Sequence, residues 1–332
     1  MSERCELKTF DLAVVGAGAA GQVAAIIAAE AGKQVVVLEQ MPQAGMKILA
    51  SGGGRANVTH EMAIDELWQT FGRQGRFALP ALTLMGPPEL RALLARLGVQ
   101  TVVDEQSRVY PTSQRAADVQ KALGRRLDKL GVPVNLDCLV SRLWMEGREL
   151  MGVETSQGNI RAERVLLACG GRSWAPLGGT GGGYSLARQA GHTLTEPTPA
   201  LVPLVMDEPW LTELSGVSLD NARLWIALPK QSKAGVTGDI LFTHRGLSGP
   251  AIIDLSGDIA QLLRKNDTVP LRIELLAGMD VAQWDHEILS WQRSAGKRQV
   301  INLLRDKLPA SLARVLCDRA GLAEHVTAAE LP

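Results

Sequence analysis

The sequence predicts an α/β fold whose first domain winds around a parallel sheet built for a dinucleotide, and three observations carry that prediction. A G-x-G-x-x-G run, Gly16-Ala17-Gly18-Ala19-Ala20-Gly21, stands between a short apolar stretch and an alanine-rich one. A second apolar run, Val35-Val36-Val37-Leu38, ends on an acid, Glu39. A third, Val165-Leu166-Leu167-Ala168, closes on Gly170-Gly171.

Each element has its reason. Leu12-Ala13-Val14-Val15 is short and wholly apolar, as a strand buried on both faces must be. Gly16 allows the tight turn, Gly18 lets the backbone approach a pyrophosphate, and Gly21 lets helix and strand pack closely. Residues 20–31 read as a helix stopped by Gly32, with the small Ala25 and Ala29 on the face that meets the sheet. Its N-terminus, over Ala19 and Ala20, offers free N–H groups and the positive dipole end to phosphates. Glu39 can accept hydrogen bonds from ribose hydroxyls and repels a 2′-phosphate, which argues against NADP at this site.

Further on, residues 61–130 read as a largely helical insertion, with helical apolar spacing over 89–97 and 116–130. The pattern shortens to strands over 134–153. Pro197, Pro199 and Pro203 mark a change of character, after which 224–228, 240–243 and 271–275 are strand-like. From Val281 onward the chain reads as helical, as over 300–307 and 311–319. The expected organisation is a dinucleotide domain over 1–192, a β-rich domain over 193–275 and a helical domain over 276–332.

Composition narrows the function. Lys and Arg total 35, as do Asp and Glu, so the 332-residue chain is formally neutral and has no whole-chain field for nucleic acid or an anionic membrane. Cys5, Cys138, Cys169 and Cys317 are far apart and form no C-x-x-C pair, so no zinc or dithiol centre is expected and a reduced, cytoplasmic setting is the simplest fit. The apolar stretch over 12–29 follows Asp11 and is broken by three glycines, unlike a signal segment. No membrane span and no metal site are expected.

Four other motifs bear on a site. Lys47 and Arg55 flank the loop Ser51-Gly52-Gly53-Gly54, which leaves the same sheet edge as Glu39 and suits a second anionic or flavin contact, with Asn57 just beyond. Cys169 precedes Gly170 and Gly171 and reads as a small buried side chain. The glycine-rich run over 178–183 either lines a ligand or only bends the chain. His244 lies in a glycine-rich loop ahead of Pro250, a good first residue for a helix. It is the candidate for substrate-side proton transfer, and a histidine that merely satisfies its loop is an equal reading.

Together these segments, above all Lys47-Ile48-Leu49-Ala50-Ser51-Gly52-Gly53-Gly54-Arg55-Ala56-Asn57 and Gly238–Pro250 with Tyr110-Pro111, resemble the bacterial BaiN/YhiN-like NAD(P)/FAD-dependent oxidoreductases from about residue 10 onward. The resemblance implies a Rossmann-type FAD-binding domain of the glutathione-reductase kind, a β-rich inserted domain and a small helical domain. It implies pyrophosphate at Gly16, Gly18 and Gly21, ribose at Glu39, the pyrophosphate and flavin side along Ser51 to Arg55 and Asn57, adenine at the backbone of Val140, and closure by Gly170 and Gly171. Ala56, His60, Cys169 and Gly179 depart from the family's usual Cys, Asn, Thr and Ser. The family pattern continues past Leu331-Pro332 into a segment returning to the flavin, so a shortened member with one wall of its site missing is expected.

The function expected is that of a flavoprotein exchanging hydride between FAD and a small organic substrate. With no second dinucleotide fingerprint, NAD(P)H would be a transient electron donor. The alternatives are a single-site NAD-dependent dehydrogenase, against which the loop over 51–54 argues, and a non-catalytic nucleotide-binding remnant. A flavin-dependent RNA modifier shares the fingerprint, but neutral charge gives it no support.

Overall fold

The computed structural model describes residues 9–231 and 235–331. The chain divides into two units, Met1–Thr195 and Glu196–Pro332.

In the first unit, β1 (Thr9–Val15), α1 (Ala19–Glu30) and β2 (Val35–Leu38) form the expected βαβ start. The chain continues through α2 (Met46–Ala50), a 3-10 turn over Ser51–Gly54, β3 (Thr59–His60), α3 (Ile64–Thr70), α4 (Gly75–Leu84) and α5 (Pro87–Arg96). Then follow β4 (Thr101–Val103), β5 (Arg108–Pro111), α6 (Ala116–Lys129), β6 (Val134–Asn135), β7 (Val140–Glu146), β8 (Glu149–Thr155), β9 (Gly158–Leu167) and α7 (Gly182–Gln189).

The main sheet runs β6-β2-β1-β9-β8-β7. Its β6, β2, β1 and β9 are parallel, while β8 and β7 join antiparallel as hairpins. Val15 pairs with Leu38 on one side and Leu167 on the other, so three strands end at one level. Side-chain alternation along β1 feeds two cores. Val14 packs with Val37 and helices α1 and α6 on one face, whereas Ala13 and Val15 join Val36, Leu143, Val153 and Leu186 on the other.

Two details differ from the sequence reading. The stretch over 61–130 holds its helices but also β4 and β5, which form a small antiparallel sheet with β3 just ahead of it, in the order β3-β5-β4. Its strands of two to four residues are too short for a period to register. The run over 165–168 is also less buried than its composition suggests, with Leu166 at 37% exposure.

Residues 191–203 carry no regular element. The second unit then contains β10 (Leu204–Val205), β11 (Ser218–Ile226), β12 (Val236–Thr243), β13 (Gly246–Ser248), α8 (Pro250–Leu262), β14 (Leu271–Glu274), α9 (Val281–Ser294), α10 (Val300–Arg305) and α11 (Ala310–Arg319). The strands make one antiparallel sheet, β10-β13-β12-β11-β14. Leu224, Ile240 and Phe242 from its inner face share a core with Ile252 of α8 and with Leu312 and Val315 of α11. Residues of the β-rich and helical segments thus contribute to one core cluster.

Candidate functional site: a nucleotide cleft at the ends of the parallel strands

The glycine turn after β1 is fixed by close contact at two of its three glycines. Gly16 adopts φ +105°, and a Cβ there would stand 2.6 Å from the carbonyl oxygen of Ala168, so only glycine lets the turn pass β9. A Cβ on Gly21 would overlap the Gly16 carbonyl oxygen. Gly18, the residue ahead of α1, differs: a Cβ there meets nothing within 4 Å. Two of the glycines close the turn, and the third leaves its outer side open. No side chain caps α1, so its first-turn N–H groups, on Ala19, Ala20 and Gly21, await an anion or solvent.

The peptide between these glycines is held from both sides. The N–H of Ala17 donates to Glu39 Oε2 at 2.7 Å. Its carbonyl accepts from Gln22 Nε2 at 2.8 Å and from the Gly45 N–H at 2.9 Å. Glu39 is buried, and its other oxygen accepts from the Met41 N–H at 3.0 Å. Each carboxylate oxygen keeps lone-pair capacity for a hydroxyl. Glu39 thus braces the turn as well as facing the site.

Around this turn lies an open cleft. Its floor is the strand ends: Val15, Gly16 and Gly18 from β1, Leu38 to Met41 from β2, and Ala168 to Gly170 after β9. Cys138, Leu139 and Val140 at the start of β7 form one wall, Gly45 to Lys47 another, and the loop from Leu177 into α7 a third. Lys47 Nζ lies beside the two glycines of facing segments: a Cβ on Gly170 would be 3.8 Å from it, and one on Gly179 would be 2.5 Å away. Gln40 Nε2 donates to the Gly178 carbonyl at 2.8 Å, tying the glycine-rich loop to the end of β2. Cys169 is half-buried, and its thiol points to the Val15 carbonyl at 3.5 Å. Burial pushes that thiol up from its ordinary range, and the Glu39 charge adds to the effect, so it stays protonated at neutral pH.

The structure therefore gathers Gly16, Gly18, Glu39, Lys47, Val140 and Gly170 around one cleft. Ala19, Ala20 and Gly21 begin α1, and Gly171 lies near the Tyr184 hydroxyl, which a Cβ at that position would approach to 3.4 Å. Ser51, Gly52, Gly53, Gly54, Arg55 and Asn57 do not line this cleft; they follow directly from α2, whose Met46 and Lys47 do. Gly52, at φ +57°, comes so close to Asn57 that a Cβ would be 2.7 Å from its nitrogen. Arg55 covers the Tyr110 ring at 4.6 Å from the centroid. His244 is exposed in the turn between β12 and β13, within the second unit. The sequence reading did not assign Gln22, Gln40, Met41 and the loop over 177–183 to the site. Only the last left a signal, its density of glycine. Among the described residues, no group of three or more His, Cys, Asp or Glu side chains could hold a metal ion, and no helix is long and apolar enough to cross a membrane.

A glycine turn feeding an uncapped helix, with an acid at the next strand end, defines a dinucleotide-binding Rossmann domain. Residues 10–296 match the family described as HI0933-like protein Rossmann domain, and the chain belongs to that family. It is similar to the 3-dehydro-bile acid delta(4,6)-reductase of Clostridium scindens, with 34% identity over 274 residues, 82% of this chain and 66% of that protein. It is also similar to the ribosomal RNA dihydrouridine synthase of Haemophilus influenzae, with 28% identity over 320 residues, 95% of this chain and 76% of that one. Among solved structures, a 3-ketosteroid-delta4-(5alpha)-dehydrogenase from Rhodococcus jostii aligns with a TM-score of 0.48 at 18% identity, over 66% of this chain and 61% of that one. The chain thus spans about two thirds to three quarters of the length of these curated relatives.

Proposed function

We propose that this chain forms the nucleotide-binding part of an FAD-dependent oxidoreductase that reduces a carbon–carbon double bond in an organic substrate. The observation that carries the reading is the open side of Gly18 at the uncapped start of α1, set between Glu39 and Lys47 in one cleft. Those residues fit an adenine dinucleotide. The first-turn N–H groups of α1 take the pyrophosphate, Glu39 takes ribose hydroxyls, and the backbone at Val140 takes the adenine. Lys47, which has no ion pair among the described residues, offsets negative charge from the opposite wall.

Bound FAD supplies the hydride chemistry. The chain's own residues orient the nucleotide and, through Glu39, disfavour a 2′-phosphate. NAD(P)H enters this reading as a transient donor with no fold of its own, and His244 as the substrate-side proton donor. The double-bond assignment draws on the relatives' names: a delta(4,6)-reductase and a dihydrouridine synthase both saturate a carbon–carbon double bond, one in a bile acid and the other in an RNA base.

The test is the absorbance spectrum of the purified chain, before and after incubation with FAD, with heat-released nucleotide identified by chromatography. Flavin absorbance that elutes with the protein and is released as FAD is expected. Protein that stays colourless after reconstitution, or that is stabilised against heat by NAD and not by FAD, would overturn the reading in favour of a nicotinamide site.

A further inference from the structure

Lys47 reaches the nucleotide cleft from a helix too short to hold it there. α2 has five residues, no side-chain cap and one buried side chain, Ile48. A single helical turn is unstable by itself, because its first hydrogen bond does not offset the ordering of its residues. The direction of α2 is therefore set by what grips the peptide ahead of it. With that direction goes the base of the flexible four-carbon Lys47 side chain.

The peptide that joins Ala44 to Gly45 is clamped at both poles. Its N–H donates to the Ala17 carbonyl at 2.9 Å, which ties it to the glycine turn. Its C=O accepts from Gln120 Nε2 at 3.0 Å, which ties it to α6. Gly45 then starts α2, its own carbonyl accepting from the Ile48 and Leu49 N–H groups at 2.9 and 3.2 Å. The fit is close: Gly45 has φ +74°, and a Cβ there would stand 2.9 Å from Gln120 Cγ. α6 is anchored without Gln120, since Val119, Ala122, Leu123 and Leu127 are buried in the core. Gln120 itself is half-buried and does not line the cleft.

We propose that Gln120 is a positioning residue for the nucleotide site: by holding the Ala44–Gly45 peptide it fixes α2 and aims Lys47 at the bound phosphates. Without that donor the peptide rocks about its remaining bond to Ala17, and Lys47, two residues after Gly45, swings with it. The ammonium then spends less time beside Gly170 and Gly179, where it now lies, and a less preorganised cation binds an anion more weakly. That the anion is the phosphate part of a nucleotide rests on the flavin reading above.

The test is a double-mutant cycle on ADP affinity, titrated calorimetrically into the full chain after any bound nucleotide has been dialysed away. Gln120→Met keeps the length of the side chain and removes its donor. It should weaken ADP binding about fivefold, the effect of one net hydrogen bond. Lys47→Met should weaken it about tenfold or more, as loss of a contact to a charged group does. If Gln120 acts through Lys47, the double variant binds ADP within about twofold of Lys47→Met alone, whereas independent effects would multiply to about fiftyfold. Hydrogen exchange gives a second readout that needs no nucleotide. Amides over 48–50 should exchange faster in Gln120→Met, and those of α6 at the parent rate. Parent-like ADP affinity in Gln120→Met, multiplied losses in the double variant, or unchanged exchange over 48–50 each overturn the proposal. Melting temperature checks that the variants fold. If Gln120→Met does not, Gln120→Leu takes its place, with the same expected and overturning results. A parent chain that binds neither ADP nor FAD sinks the nucleotide reading, and the proposal with it, before any variant is compared.

Discussion

Gly18 and Gly21 occupy the same motif and have opposite surroundings, which makes them separable by experiment. A methyl group at Gly21 meets the Gly16 carbonyl with no room to yield, whereas one at Gly18 meets open space. Gly21→Ala is thus expected to lower stability by about 2 kcal/mol, the scale of overpacking a fixed backbone, measured by denaturant unfolding. Gly18→Ala should unfold as the parent does but bind FAD about tenfold more weakly, since its methyl group stands between phosphate and backbone donors. Equal effects of the two on stability would show that the turn is not braced as described. This much was legible, because the spacing of three glycines and the acid at Glu39 is local information. The brace on Ala17 was not. Gln22 looks like an ordinary polar residue of a helix, yet it is fully buried, with Nε2 on the Ala17 carbonyl and Oε1 without a partner among the described residues. Its role depends on α2 arriving at Gly45, which no short window contains.

The helices over 87–96 and 116–129 were readable, since each repeats an apolar face over at least two turns. The strands β3, β4 and β5 were not, being shorter than any pattern that could announce them. Among the loops, the run over 178–183 could be read from sequence as wall or as bend. What settles its place is the Gln40–Gly178 hydrogen bond, between residues 138 apart in sequence. That bond clasps the loop to the strand end over the cleft. Gln40→Ala is therefore expected to speed FAD release about fivefold, the worth of one net hydrogen bond of about 1 kcal/mol, followed by loss of flavin signal after dilution into apo-scavenging conditions. Release at the parent rate would mean that the loop holds its position without the clasp.

Taken whole, the chain has its break where the prolines fall. The stretch over 191–203 has no regular element, and Leu201 is 70% exposed. Brief treatment with thermolysin should cut there first and yield two fragments that meet within 191–203, identified by intact mass. First cuts inside 276–332 would instead support the helical segment as a separate domain. The shared core of Phe242, Ile252 and Leu312 argues against that outcome. The helical domain is read from a change of composition along the chain, and composition carries no information on which core residues the two segments share. Net charge averages in a similar way, since the zero total includes a stretch at 293–319 with seven Lys and Arg against two acids.

The pairing of β1 with β9 has a consequence for synthesis. The glycine turn is translated by residue 21, but the wall against which Gly16 closes comes from Ala168, and the last lining residue of the cleft is Leu186. At about 5–20 residues per second, the two ends of the site leave the ribosome roughly 10–30 s apart. During that interval the nascent chain holds a glycine turn with no β9 beside it. Nucleotide can act on this protein only after the first unit has been made almost entirely, as a late lock on a finished fold with no part in starting it.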